Sequence, residues 1–269
     1  MTRYLLAIPV VGFLLCSLVS SSPAQTTPNT PPHSPSDSST QAQSAPLSDE
    51  DMAKLYLIRK DFAAAEAQFR KLTREQPKNA LYWDYLGITL HHQQKISAAI
   101  KCYEKSAKLD PHYADPVNNI GTGWYDLHKY SKAIRAYKRA ISIKEDNAIV
   151  HMSLGYAYFA DKKYEEAIAS FHRALEIDPQ VFDHSGGRTG TSVQDRTVEG
   201  DRGHFYFLLA KSFAQAGNVE RCVIYLRKAR DEGFKDMDSA KTDPAFAGVL
   251  KDPAIQEILN PAPPETAQP

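Results

Sequence analysis

The chain has no excess of charge of either sign: among its 269 residues, 32 Lys and Arg stand against 32 Asp and Glu. That balance excludes a global field drawing the whole molecule to nucleic acid or an anionic membrane. Cysteine is scarce, with only Cys16, Cys102 and Cys222. A disulfide framework of closely spaced pairs is therefore absent. Strand-like runs of Val, Ile and Thr are rare, whereas Ala, Leu, Tyr, Lys and Glu abound, so the composition leans helical. The length accommodates one ordinary domain or two small ones.

Catalytic signatures are missing too. The sequence contains no H-E-x-x-H, no G-x-S-x-G and no paired C-x-x-C. His91 and His92 adjoin, so on a helix their rings point in different directions, a poor arrangement for one metal. His128 and His172 read as surface or packing residues, and Glu165 and Glu166 as a solvated helix face. We expect no enzyme, no catalytic residue, no cofactor and no metal.

The apolar stretch 4–19 follows basic Arg3. It is shorter than the about 20 apolar residues a membrane helix needs. Ser22-Pro23-Ala24 then has the small-x-small form of a secretory cleavage site. Residues 1–24 are thus expected to be a signal peptide, with a mature chain starting at Gln25 in the periplasm or outside the cell. Two alternatives stand beside cleavage: lipid attachment at Cys16, which bulky Leu15 disfavours, and an uncleaved membrane anchor. Once the leader is removed, no direct membrane binding is expected. Residues 25–47 are rich in Pro, Ser, Thr and Gln. They lack the apolar surface to offset ordering entropy and read as a disordered tether.

From residue 48 onward the chain repeats itself. Ala65, Ala99, Ala133 and Ala167 recur at a constant step of about 34 residues. Phe69, Tyr103, Tyr137 and Phe171 keep the same step. So do Ala53, Gly87, Gly121 and Gly155, each preceded by Met52, Leu86, Ile120 or Leu154. A little beyond the small position come Tyr56, Leu90, Trp124 and Tyr158. Pro77, Pro111 and Pro179 close their units in phase. A small residue on a first helix admits a second helix closely, aromatics at helical spacing fill the remaining space, and proline separates the pairs. One such pair cannot bury both faces, so neighbours must stack.

The stretch Trp83-x-x-Leu86-Gly87-x-x-Leu90, with Ala99-x-x-x-Tyr103 and Pro111, resembles the tetratricopeptide repeat, leucine replacing its usual tyrosine. Leu154-Gly155-x-x-Tyr158 with Ala167-x-x-x-Phe171 and Pro179 is nearly the full pattern. A fifth unit, Leu209-Ala210-x-x-Phe213 with Cys222-x-x-x-Leu226-x-x-Ala229, comes later than the constant step would place it, displaced by an insertion. Cys222 occupies the alanine position there, so its thiol and that of Cys102 read as helix packing groups far apart along the repeats. Asp49 departs from the pattern, standing where a large apolar residue is usual.

The resemblance implies an all-α fold, a right-handed superhelical α-solenoid of about five tetratricopeptide helix-turn-helix repeats. The repeats lie near 46–79, 80–113, 114–147, 148–181 and 203–236, giving a repeat domain over 48–236 with an inserted loop at 182–202. The loop's Ser185-Gly-Gly-Arg-Thr-Gly-Thr-Ser192 lacks the lysine and preceding strand of a phosphate cradle. Residues 237–260, with Asp243-Pro244 and Asp252-Pro253 as helix starts, are expected to form C-terminal capping helices, and 261–269 a disordered tail.

In this family the first helix of each pair lines a concave groove. Helical stepping from positions beside the buried columns predicts partner contacts at Asp84, Ile88 and His91, then Asn118, Thr122 and Tyr125. Met152, Tyr156, Phe159, Phe207 and Lys211 continue the stripe. Such a lining suits a peptide segment of another protein. A carboxylate clamp is not expected, because Glu50, Asp84, Tyr85 and Asp115 hold most of its places. The second helices carry Lys101, Lys105 and Lys108, then Lys132, Arg135, Lys138, Arg139 and Lys144. These read as solvated charge or as a face for an acidic partner. No stacking aromatics interleave with them, so nucleic acid is not expected. The function read from the sequence is a non-catalytic adaptor for an envelope or secreted partner. The alternative is a regulatory or structural subunit docked through the 182–202 loop or the basic face. Self-association as a homo-oligomer stays open.

Overall fold

In each unit the chain turns between its two helices through a residue with left-handed backbone. These are Lys60, Gln94, His128 and Lys162, at φ of 60°, 62°, 56° and 59°, followed by Gly217 at 71°. The first four keep the repeat's own step, so the turn is a recurring part of the unit. In the computed structural model, residues 47–182 and 201–261 are described, all within one compact unit, Pro46–Pro269. The expected leader, Cys16, the tether, most of the inserted loop (183–200) and the tail lie outside the described residues.

Five helix pairs follow one another: α1 Asp49–Ile58 with α2 Phe62–Glu75, α3 Ala80–His92 with α4 Ile96–Leu109, and α5 Ala114–Asp126 with α6 Tyr130–Ile143. Then come α7 Ala148–Ala160 with α8 Tyr164–Ile177, and α9 Arg202–Gln215 with α10 Val219–Asp231. No strand occurs among the described residues. Each helix packs on its chain neighbours, within the pair and across to the next. In addition, first helices of consecutive units touch, α3 with α5 and α5 with α7. The first helices therefore form the inner row of an α-solenoid.

The repeat columns make this spacing. Ala65, Ala99, Ala133 and Ala167 are fully buried, as are the rings of Phe69, Tyr103, Tyr137 and Phe171. Those rings press against the small-residue column. A Cβ built on Gly87, Gly121 or Gly155 would sit 2.4–2.5 Å from the nearest ring carbon of Tyr103, Tyr137 or Phe171. In the fifth unit Ala210 takes the glycine's place and Leu226 the ring's, so a bulkier small residue faces a slimmer large one. Burying each such large side chain stabilises by about 1.5–3 kcal/mol. The Trp83 indole N–H donates to the Pro77 carbonyl (3.0 Å), tying the second unit to the end of the first.

Past α10, the expected capping region forms two 3-10 turns, Met237–Lys241 and Pro244–Phe246, and then α11 Pro253–Leu259. Asp243 and Asp252 cap as their Asp-Pro pattern suggests, accepting at 2.9 Å from the backbone N–H of Ala245 and Ala254. The Pro244–Phe246 turn packs on α9 and α11 packs on α10. Phe246, Ile255, Ile258 and Leu259 are buried there, covering apolar surface that a sixth pair would otherwise cover. Among the described residues no helix is long and apolar enough to cross a membrane.

Candidate functional site

The inner row carries the predicted stripe, and most of that stripe is enclosed. Of the residues expected to meet a partner, Asp84, Ile88, His91, Thr122, Tyr125, Met152, Tyr156, Phe159 and Phe207 are buried. Only Asn118 and Lys211 keep intermediate exposure. For α3, α5 and α7 the contact between consecutive first helices contributes, closing over side chains that helical spacing alone would leave facing open space.

In the N-terminal half these side chains bind the repeats to one another through polar groups. Asp84 accepts from the Tyr113 hydroxyl (2.9 Å) and from the Asn119 side-chain amide (3.1 Å), both donors at or beyond the start of the next unit. Burial pushes its carboxyl up to about 6, against the lowering effect of those two hydrogen bonds. Further along α3, the His91 ring meets Asp126 of α5 at 2.5 Å and the Tyr103 hydroxyl at 3.4 Å. Within the third unit, Thr122 accepts from the Tyr137 hydroxyl at 3.2 Å, joining its two helices. Glu50 plays the part of Asp84 at the first junction, taking the Tyr82 hydroxyl at 2.7 Å and the Lys54 ammonium at 2.5 Å. Those donors hold the Glu50 carboxyl below its ordinary range.

In the C-terminal half the stripe is aromatic and packs ring on ring. Tyr156 lies 5.5 Å from Phe171 and 5.4 Å from Phe205, and Phe159 lies 5.2 Å from Phe205. Phe207 stacks on Phe234 at 4.5 Å and meets Phe246 of the C-terminal turn at 5.6 Å. Lys211 is engaged by Asp243 of that turn at 2.9 Å and by Glu165 at 3.7 Å. Phe207 and Lys211 are therefore covered by the chain's own C-terminal segment.

Accessible surface survives nearer the start of the same helices. Leu47, Leu81, Asp115 and Ile149 keep the repeat's step, Leu47 just before α1 and the others in the first turns of α3, α5 and α7. Leu47 is 53% exposed and Ile149 50% exposed, and Leu81 and Asp115 are also accessible. Tyr85 is half-buried beneath the Lys54 ammonium, 5.8 Å from its ring centroid. Beside this lip Asn118 keeps its Oδ1 acceptor buried with no hydrogen-bond partner. The sequence does hold a signal for the lip, a further column at the constant step. That column is easily missed, because its members mix apolar Leu47, Leu81 and Ile149 with charged Asp115.

Elsewhere the chemistry is quiet. Cys102 and Cys222 are free and buried. Burial pushes their thiols up to about 11 and about 12. Among the described residues no three His, Cys, Asp or Glu side chains gather as a metal site.

A stack of helix pairs with an inner row of first helices defines an α-solenoid repeat protein. Family models for the tetratricopeptide repeat match residues 80–113 and 148–181, and a TPR-repeat model matches 125–162. The chain therefore carries tetratricopeptide repeats. Among solved structures it is similar to MamA at 20% identity, covering 71% of this chain and 98% of that one with a TM-score of 0.49. YrrB, described as a TPR protein with an unusual peptide-binding site, shares 18% identity over 72% of this chain and 91% of that one, TM-score 0.47. The first TPR of Spaghetti (RPAP3), bound to an HSP90 peptide, is 27% identical over 39% of this chain and 86% of that one, TM-score 0.38. No curated protein matches the chain.

Proposed function

We propose that the protein is an exported, non-catalytic scaffold that seats a peptide segment of an envelope or secreted partner along the lip of its inner helix row. The observation carrying this reading is half-exposed Ile149 on α7 together with Asn118, of intermediate exposure on α5, the preceding inner helix. An apolar side chain left in water and a partly exposed amide both gain from an extended chain, which supplies main-chain polar groups and side-chain burial at once. Leu81, Tyr85 and Leu47 extend the apolar part of the contact toward the first unit. A terminal carboxylate is not the recognised group, because Lys54 and Lys211 are already engaged by Glu50 and by Asp243.

Partner capture from an envelope extract tests the reading. The full protein is compared with an Asn118→Ala/Ile149→Glu variant shown by circular dichroism to keep its helix content. A partner held by the first and lost by the second supports the lip. Equal capture by both removes it. Export rests on the sequence, and mass spectrometry of the mature chain checks it: an N-terminus at Gln25 is expected, and an intact Met1 or a lipidated Cys16 contradicts it.

A further inference from the structure

In the middle of the outer row, α4 and α6 carry cations that no carboxylate of the described residues pairs with. On α6, Lys132, Arg135, Lys138 and Arg139 are exposed, and the helix contains no Asp or Glu. On α4, Lys101, Lys105 and Lys108 are exposed beside the single carboxylate Glu104. None of these cations has a carboxylate within ion-pair distance among the described residues. Two are held in place by rings instead: Lys132 sits 4.3 Å above Trp124 and Lys138 sits 5.5 Å from Tyr158.

The repeat supplies its own comparison. Lys71, Lys105, Arg139 and Arg173 occupy one position in successive units, each a full repeat from the next. In the first unit Lys71 takes Asp49 at 2.6 Å and lies 3.9 Å from Glu75. In the fourth, Arg173 takes Glu176 at 3.0 Å, with Glu145 and Asp146 at 3.9 Å. In the second and third units those carboxylates are gone. Trp83 and Val117 stand in place of Asp49, Leu109 and Ile143 in place of Glu75, and Lys108 and Ser142 in place of Glu176. The same cation is thus paired at both flanks and bare in the middle.

We propose that the outer face of α4 and α6 is a docking surface for an acidic polypeptide segment, whose Asp and Glu side chains take the carboxylate places that the first and fourth units fill internally. A helix of 14 residues is about 21 Å long, so α6 alone spans about six residues of extended chain. A bilayer fits less well, because none of the large apolar side chains exposed among the described residues lies on α4 or α6 to anchor in it. Nucleic acid fits less well too, because the nearby Trp124 and Tyr158 rings already carry lysines. This surface is separate from the inner lip.

Fluorescence anisotropy of the full protein with a labelled Glu-rich peptide of about twelve residues, at low salt, tests the assignment. The α6 variant Arg135→Glu/Lys138→Glu/Arg139→Glu is compared with Arg227→Glu/Lys235→Glu/Lys251→Glu, an equal charge change on exposed residues of the C-terminal unit, both checked for helix content. We expect the α6 variant to lose about tenfold or more in affinity and the control to stay within about twofold of the parent. Asn118→Ala/Ile149→Glu should bind the acidic peptide unchanged, which separates this surface from the lip. Equal losses in the two triple variants, or no binding by the parent, overturn the proposal. So does tighter retention on phosphatidylserine-containing vesicles, or on single-stranded DNA, than on the peptide.

Discussion

Replacing Asp84 by Asn should change how stability depends on pH, with a sign that the structure dictates. The carboxyl is 2% exposed, and burial lifts it from an ordinary 3.8 to about 6. A raised carboxyl means the folded chain holds a proton there that the unfolded chain has lost between about pH 4 and pH 6. Stability from this group is therefore present below about pH 4, declines as pH rises through about 6, and is absent above it. A difference of that size corresponds to about 3 kcal/mol at most. Glu50 and Glu66 act in the opposite sense. Both are held below their ordinary range by their hydrogen-bond partners, so their contribution is present at neutral pH and is lost as pH falls. The informative quantity is thus the parent minus Asp84→Asn, measured by urea unfolding at closely spaced pH values. Asn keeps an acceptor for the Asn119 amide, and the Tyr113 hydroxyl can rotate to accept from the new amide. Relative to the parent, the variant should gain about 2–3 kcal/mol between about pH 4 and 7.5, or several degrees in Tm. Parallel curves across that range would refute the buried charged carboxylate as a cost to the fold.

Three further outcomes follow from the packing. Gly155→Ala should lose about 1–3 kcal/mol in urea unfolding, because its Cβ would lie 2.4 Å from a Phe171 ring carbon; Phe171→Leu in the same chain should recover part of the loss. Gly217→Ala should lose about 1 kcal/mol through backbone strain alone, since φ there is +71° and no atom lies within 4 Å of the added carbon. A loss as large as that of Gly155→Ala would reveal a contact the structure lacks. Cys102 and Cys222, buried and with thiols raised, should resist an aromatic disulfide reagent at about pH 8 until the chain unfolds. Fast labelling of the native protein would contradict their placement.

The helix pairs are legible in the sequence because the residues that space them are themselves the signal. Gly87 against Tyr103 or Gly155 against Phe171 is a direct imprint of close approach, and a fixed step multiplies that imprint. The turns are not legible in the same way. Lys60, Gln94, His128 and Lys162 adopt the left-handed backbone with side chains that give no hint of it, and only Gly217 declares the conformation. The binding stripe is half legible. Helical periodicity says which side of α3 or α7 a residue faces, but not how far the neighbouring helix reaches across it. That reach depends on contacts such as His91 with Asp126, 35 residues apart, which no local pattern encodes.

The enclosed stripe also limits where this molecule can meet others. A side chain that ties one repeat to the next, as Asp84 and His91 do, cannot release its partner to grip a ligand without leaving a buried polar group unsatisfied, at about 1–3 kcal/mol each. Phe207 and Lys211 are committed in another way, to Phe246 and Asp243 of the chain's own C-terminal turn. Surface that can bind without such a cost is surface the fold does not use for itself. Among the described residues two places meet that condition: the first-turn lip with Ile149 and Asn118, and the cations of α4 and α6. One mixes apolar Leu81 and Ile149 with Asp115 and lies on the inner row; the other is cationic and lies on the outer row. Their chemistries differ enough that one partner presenting an apolar and an acidic segment, or two different partners, can occupy both at once.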